Sequence, residues 1–493
     1  MPSRRHEAGP EPHVAVVGAG VAGLRCADLL LQHGFRVSIF EGRDRIGGRL
    51  HQQHLENGHL VDTGPNWFHG TDDNPILDLA KQTGTAVGVW DSKASLYDEL
   101  GTLYSDKAGE EYSTVMWDII QDAFQHSNQS CADIDPSLSL LDFFRERVKE
   151  RIPDTEPGFE EKRDIVLRLS QSWGNFIGSP IAKQSLKFFW LEECIEGENP
   201  FCAGTFKKIL EAIAKPALEG ASIHFNSIAE RVSYGGDQGA KVRIQFRGGK
   251  TLSFDEVVMT TPLGWLKRNP AAFEPPLPAR FTNAIESIGF GCLEKVYISF
   301  PEAFWVATKE NGNRGTQGFV HWLSPAYHAD GNPSRWLQES VELATIAPEA
   351  AHPTLLFYLY GEQSEFITSS LAGLATADER HGFLARHFEP YYRLLPNYDA
   401  GAPCCRPSCS LATSWLRDEL AGNGSYSNFQ VGLSSGDEDI RVMREGLPGQ
   451  GLWFAGEHTA PYVALGTVTG AYWSGETVGR RIAETHGLAK QRA

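Results

Sequence analysis

Short apolar runs alternate with longer amphipathic stretches at both ends of the chain. His13-Val14-Ala15-Val16-Val17 is an apolar run that suits a buried parallel strand. GAGVAG, Gly18 to Gly23, follows. Val21, Leu24, Ala27, Leu30 and Leu31 then recur at helical spacing, and Gly34 is a natural stop for that helix. Val37-Ser38-Ile39-Phe40 reads as a second strand ending at Glu41. From about Pro75 to Leu218 the pattern is mostly helical, as in SLLDFFRERVKERI and AGTFKKILEAIAKPAL. From about Ala221 to Thr261 alternating runs return, with KVRIQFRGG and DEVVMTTP as strands. EKVYISF and TLLFYLYG, between Leu293 and Tyr360, are further strands set among loops rich in Gly, Asn and Pro. The closing stretch returns to strand then helix, GLWFAGEHT and GAYWSGETVGRRIAETHG. Nucleotide-fold patterning at both ends, with other material inserted, predicts an α/β protein of two discontinuous domains.

Composition narrows the class. The 493 residues equal roughly three domains of ~150 residues, or one large two-domain enzyme. With 41% hydrophobic and 22% charged residues, a disordered chain is excluded. No apolar run approaches the ~20 residues of a membrane span. Met1 to His13 is polar and lacks the apolar region of a secretory leader, and Gln491-Arg492-Ala493 is not a peroxisomal tripeptide. A cytoplasmic location is the expectation. The net charge of −17 argues against a nucleic-acid partner and mildly favours a cationic one, although an acidic surface also simply aids solubility. Eight cysteines do not make a disulfide scaffold, and Cys404, Cys405 and Cys409 lack metal-ligand spacing. No metal is expected.

Two glycine motifs carry the cofactor reading. Gly18, Gly20 and Gly23 follow a strand and open a helix, as a dinucleotide fold requires. Gly18 allows the turn, Gly20 a close approach of backbone to pyrophosphate, and Gly23 close helix–strand packing. Glu41 follows Gly23 by 18 residues, near the spacing of an acid that binds a ribose hydroxyl and disfavours a 2′-phosphate. EGRDRIGGRL, Glu41 to Leu50, then adds Gly47-Gly48 and the planar cations Arg43 and Arg49. A nicotinamide enzyme does not need this second loop. A longer cofactor such as FAD does.

GAGVAGL, FEGRDRIGGR and VDTGPNWFHG resemble the flavin-containing amine oxidase family, which includes monoamine and polyamine oxidases. VVMTTPLGWLKRNPAAFEPPLP, ESIGFGCLEKVYISFPEAFW, WLRDELAGNGSYSNFQVG and the closing GLWFAGEHTAPYVALGTVTGAYWSGETVGRRI extend the likeness. The stretch from about Asp91 to Phe201 matches poorly. The resemblance implies a Rossmann-like FAD-binding domain of the GR2 type, over 1–88, 199–277 and 428–493. It also implies a substrate domain of mixed sheet plus helical insert, over 89–198 and 278–427.

The resemblance also assigns roles. Glu41 would bind the adenosine ribose, and Arg43, Gly48 and Arg49 the pyrophosphate side. Asn66 and Trp67 would lie along the flavin, and Val232 would meet the adenine end through its backbone. Glu457 would bind the ribityl or phosphate part, and Thr467 and Val468 the polar edge of the ring. Lys295 would hold a water beside the ring, where a plain strand lysine would face solvent. Of the family's aromatic pair around the amine only Tyr426 remains, since Thr467 takes the other place. The closing segment lacks the cysteine to which monoamine oxidases attach FAD, so the resemblance implies noncovalent FAD.

The implied chemistry is hydride transfer from the amine α-carbon to flavin, imine hydrolysis and reduction of oxygen to hydrogen peroxide. The implied partners are a cationic small-molecule amine and molecular oxygen. His69 could hydrogen-bond the amine or be structural. Asp72 and Asp73 could form an acidic mouth, or one of them could cap the helix that follows. Trp415 could line the pocket or be core. Glu192, Glu193 and Glu196 could read a second amine or form a solvated face. A polyamine oxidase is the leading reading. An L-amino-acid oxidase would need an arginine that GPNWFHG lacks. A tailoring amine oxidase stays open, a histone-demethylase role is disfavoured by the absence of heptads, and a non-catalytic flavoprotein scaffold is the alternative of another class.

Overall fold

The computed structural model describes residues 11–90, 94–235, 241–308 and 315–488. The polar stretch 1–10 and the terminal tripeptide of the sequence reading lie outside them. The chain packs as two units. One comprises Met1–Leu50, Ile209–Ser287 and Asp437–Ala493, the other His51–Lys208 and Ile288–Gly436.

The first unit is built on a parallel sheet of five strands in the order 452–454, 256–259, 13–17, 36–40, 222–224. The apolar runs at both chain ends supply strands of this one sheet, with 256–259 between them, buried as a parallel sheet covered by helices demands. The first helix, Val21–Gln32, ends one residue before His33, and Gly34 follows at φ +82°. It lies against the last helix, Val468–Thr485. A Cβ at Gly475 would stand 2.1 Å from Ala22 O, so only glycine lets these backbones meet. A second sheet orders 273–274, 229–233, 242–246 and 251–254.

The second unit holds a six-stranded sheet in the order 409–412, 293–299, 354–360, 338–342, 319–322, 95–97. It is antiparallel except for its last pair. Strand alternation sends Val296, Ile298, Phe357 and Leu359 into a core shared with Ile367, Leu384 and Phe388 of the helices Gly361–Ala372 and Ala377–Tyr392. The opposite face carries Tyr297, Tyr358 and Val341, against Trp67, Trp90 and Phe201. The helical insert has its own core around Ile119, Phe144, Val166 and Phe189.

The division by packing differs from the one read from sequence at 199–208 and 428–436, which pack in the second unit, at 278–287, which pack in the first, and most of all at 51–88, which pack in the second. The reason is local. The hairpin 52–54/60–62 and the segment after it hydrogen-bond to the sheet through Tyr297 and Tyr358.

Candidate functional site

In the first unit the two glycine loops face each other. Gly18 has φ +113°, donates its N–H to Phe40 O at 2.8 Å, and would place a Cβ 2.4 Å from Thr260 Oγ1. Gly23 would place one 2.1 Å from Gly18 O. Gly20 differs, since its added Cβ would meet only Gly47 O, at 4.0 Å. Gly47 N–H bonds Ala19 O at 2.8 Å, and Gly48, at φ +59°, stands over Gly20. The helix that starts here has no side-chain cap and no acid in its first turn. Its positive end is therefore suited to an anion.

Glu41 is buried and ties this turn together. Oε2 accepts from Ala19 N and Oε1 from Arg43 N, both at 2.8 Å. Two further lone pairs remain for ribose hydroxyls. Arg49 pairs with the buried Glu457 at 2.9 Å. Arg45 folds back onto the carbonyls of Ile46 and Gly48, a pin the sequence reading did not assign. Thr467 caps the last helix, accepting from Gly470 N at 2.9 Å, so Val468 opens a helix with no acid in its first turn. An open glycine cradle, a bare helix start, a buried acid and the partly buried Arg49–Glu457 pair fit the diphosphate and ribose of FAD.

The second sheet places Val232. It sits within the strand Ala229–Ser233, in register with Ile244 on one side and Phe273 on the other. The segment beside the acid is earlier. Asn226 N bonds Arg43 O and Ser227 N bonds Glu41 O, both at 2.8 Å.

In the second unit Lys295 is buried in the strand Leu293–Ser299, not turned to solvent. Its Nζ donates to Gly64 O and lies 5.7 Å from the centre of the Tyr358 ring. Burial lowers Lys295 to about 7, opposed by the charges of Asp62 and Glu294. Burial raises Asp62 to about 7. Asp62 accepts from Gln52 Nε2 at 2.7 Å and Phe206 N at 3.1 Å. Both shifts favour the uncharged pair over two charges taken out of water.

The chain from Asp62 to Trp67 gathers several other groups. Tyr297 OH donates to Asp62 O at 2.6 Å and accepts from Asn66 Nδ2 at 3.2 Å. Tyr358 OH donates to Asn66 Oδ1 at 3.1 Å and accepts from Trp67 Nε1 at 3.0 Å. Trp415, half-buried, donates to Thr63 O at 2.9 Å. Lys295, Asn66, Trp67 and Trp415 thus share one segment. Tyr426 instead donates to Phe176 O at 2.6 Å, on the helical insert. His69 is partly exposed, and burial lowers its imidazole to about 4, leaving it neutral at pH 7.

Neither Asp72 nor Asp73 caps the helix Pro75–Thr83. Asn74 does, accepting from Ile76 N at 3.0 Å, with Pro75 in the first turn where its missing N–H is harmless. Glu192 accepts from Gln184 and Glu193 from Asn128. Asp62, Tyr297 and Tyr358 were missed as site residues. Asp62 stands in the quoted VDTGPNWFHG, but the two tyrosines are placed only by cross-strand register.

The glycine cradle on the parallel α/β unit fits a nucleotide cofactor, and the second unit by itself carries a buried lysine on its sheet. The family model for flavin containing amine oxidoreductases matches residues 21–483. The chain belongs to that family, and FAD is its cofactor. Similar curated proteins include lysine-specific histone demethylase 1 homolog 3 of Oryza sativa subsp. japonica, 28% identical over 94% of this chain and 53% of that protein. Another is probable polyamine oxidase 4 of Arabidopsis thaliana, 26% identical over 91% of this chain and 82% of that protein. The chain spans about half the length of the demethylase relatives it matches. A putrescine oxidase redesigned in cofactor binding has the same fold, with a TM-score of 0.68 and 19% identity over 96% of this chain and 99% of that one. Among the described residues no helix is long and apolar enough to cross a membrane.

Proposed function

We propose that the chain is an FAD-dependent amine oxidase of the polyamine oxidase kind. It oxidises a C–N bond of an amine, the imine is hydrolysed, and oxygen is reduced to hydrogen peroxide. The observation that carries this reading is Lys295, buried, tied to Gly64 O and held near neutrality beside Asp62. Bound FAD supplies the two-electron acceptor for the C–H bond next to nitrogen. The protein's own part is orientation and proton control. Near pH 7, Lys295 Nζ can hold or release a proton. Tyr358 and Trp67 offer ring faces and a dry wall to an amine. Noncovalent attachment remains part of the proposal, since no attachment cysteine was found in the closing motif.

The test is a peroxide screen of flavin-loaded protein. It uses spermine, spermidine, acetylated polyamines, aryl-alkyl monoamines and L-amino acids. Turnover of polyamines supports the reading, and turnover of L-amino acids alone overturns it. The demethylase names among the relatives favour a second reading, in which the amine is a lysine side chain of a protein. A methylated-lysine peptide in the same screen separates the two. A flavin reduced by none of these points to the non-catalytic scaffold.

A further inference from the structure

Cys404 and Cys405, in PCCRPSCS, are the one pair of adjacent cysteines in the sequence, and the amine oxidase chemistry leaves them unused. They lie in the second unit, between the helix Ala377–Tyr392 and the edge strand Cys409–Ala412 of the six-stranded sheet. Pro403 opens the single helical turn Pro403–Cys405, a position where no N–H is required. Both cysteines stand on that turn, and their sulfurs lie within hydrogen-bond reach of each other.

The two thiols differ in surroundings. Cys405 is 3% exposed and packs in the core with Phe300, Phe304 and Tyr392. Cys404 is half-buried, so water and small solutes reach it. Burial raises the Cys405 thiol, which leaves Cys404 to meet an oxidant first. Cys405 Sγ donates to Asn397 O at 3.9 Å and accepts from Asp399 N at 3.4 Å. Asn397, at φ +65°, and the turn closed by Ala402 N on Asp399 O bring these backbone groups back onto the sulfur. An N–H aimed at sulfur supports the negative charge a thiol carries when it attacks. Other cysteines lack this arrangement. Burial pushes Cys26, Cys194 and Cys292 up to about 12. Cys409 packs with Tyr297 and Tyr358, on the opposite face of the sheet from Cys405.

We propose that Cys404 and Cys405 form a reversible modification site that hydrogen peroxide closes to a vicinal disulfide. Peroxide as the chain's own product rests on the amine oxidase reading above. The Cys404 sulfur attacks one peroxide oxygen, the O–O bond breaks, and water leaves with the thiol proton. The Cys405 sulfur then attacks the sulfenic sulfur of Cys404, the S–O bond breaks, and a second water leaves with the second proton. Two thiols lose two electrons, and one peroxide becomes two waters. Neighbouring Cα atoms stand about 3.8 Å apart, closer than most disulfides bridge, so the bond is strained and easily reduced.

The experiment treats the flavin-loaded protein with hydrogen peroxide, alkylates free thiols and maps peptides by mass without reductant. The peptide spanning 404–405 is expected to lose two hydrogens and take no alkyl label, and dithiothreitol restores both labels. Cys405→Ser is expected to stop at a sulfenic acid on Cys404, which dimedone traps. Both cysteines still labelled after peroxide, a bond from either to another cysteine, or oxidation that dithiothreitol does not reverse overturns the site. The wild-type map decides this even where Cys405→Ser does not fold. A second arm replaces added peroxide with polyamine and oxygen. Closure there that catalase prevents supports both readings. Closure by added peroxide alone keeps the site and overturns the chain as its peroxide source.

Discussion

Arg49 and Glu457, 408 residues apart in the chain, form an ion pair of 2.9 Å. One comes from the second glycine loop and the other from the closing motif. Glu457 is nearly buried, whereas Arg49 is about a quarter exposed. Removing the cation takes a charged partner from a nearly buried carboxylate. Arg49→Ala is expected to destabilise the protein by about 3 kcal/mol and to weaken FAD retention. Glu457→Gln, which leaves the partly exposed Arg49 still reached by water, is expected to be milder. Thermal melts with and without added FAD check this order. A milder Arg49→Ala contradicts it.

Lys295 governs a pH effect with two readouts. Its proton is lost near pH 7 in the folded chain, against about 10.4 for an ordinary lysine. Between these values the unfolded chain binds the extra proton, so this group makes stability rise with pH across that window. Lys295→Met removes that rise, which melts across the window would show. The same substitution is expected to slow flavin turnover markedly. It also abolishes a limb near pH 7 in the kcat/KM profile. An unchanged rate and profile would remove Lys295 from the chemistry.

Tyr358 joins Asn66 to Trp67 through its hydroxyl. Tyr358→Phe leaves an indole N–H and an amide oxygen without their partner, at about 1–3 kcal/mol in denaturant unfolding. Trp67→Phe removes only one donor and is expected to lie near 1 kcal/mol. A Tyr358→Phe protein as stable as wild type contradicts the network.

Attachment of the cofactor is checked by acid. Denaturing the yellow protein is expected to release FAD into the supernatant. Colour held by the precipitated chain would overturn noncovalent binding.

Local signals settled much of this protein before any coordinates. Gly18, Gly20 and Gly23 after an apolar run, with Glu41 at the next strand's end, define a nucleotide turn because backbone sterics act over a few residues. The near-continuous apolar character of residues 13–17 called for a parallel strand for the same local reason. Ordered motifs from Gly18 to Thr467 marked the family. Asn74 shows where local reading slips, since three polar residues in a row all could cap and only the chain path selects one.

Tertiary structure alone decided what lies opposite what. Register between strands far apart in sequence turned Lys295 inward, set Tyr358 beside it, and aligned Glu339 with His321. It also put Asn226 next to Arg43. A one-residue slip in such a pairing would send each of these side chains to the other face, and nothing within a single strand reports which register the sheet adopts.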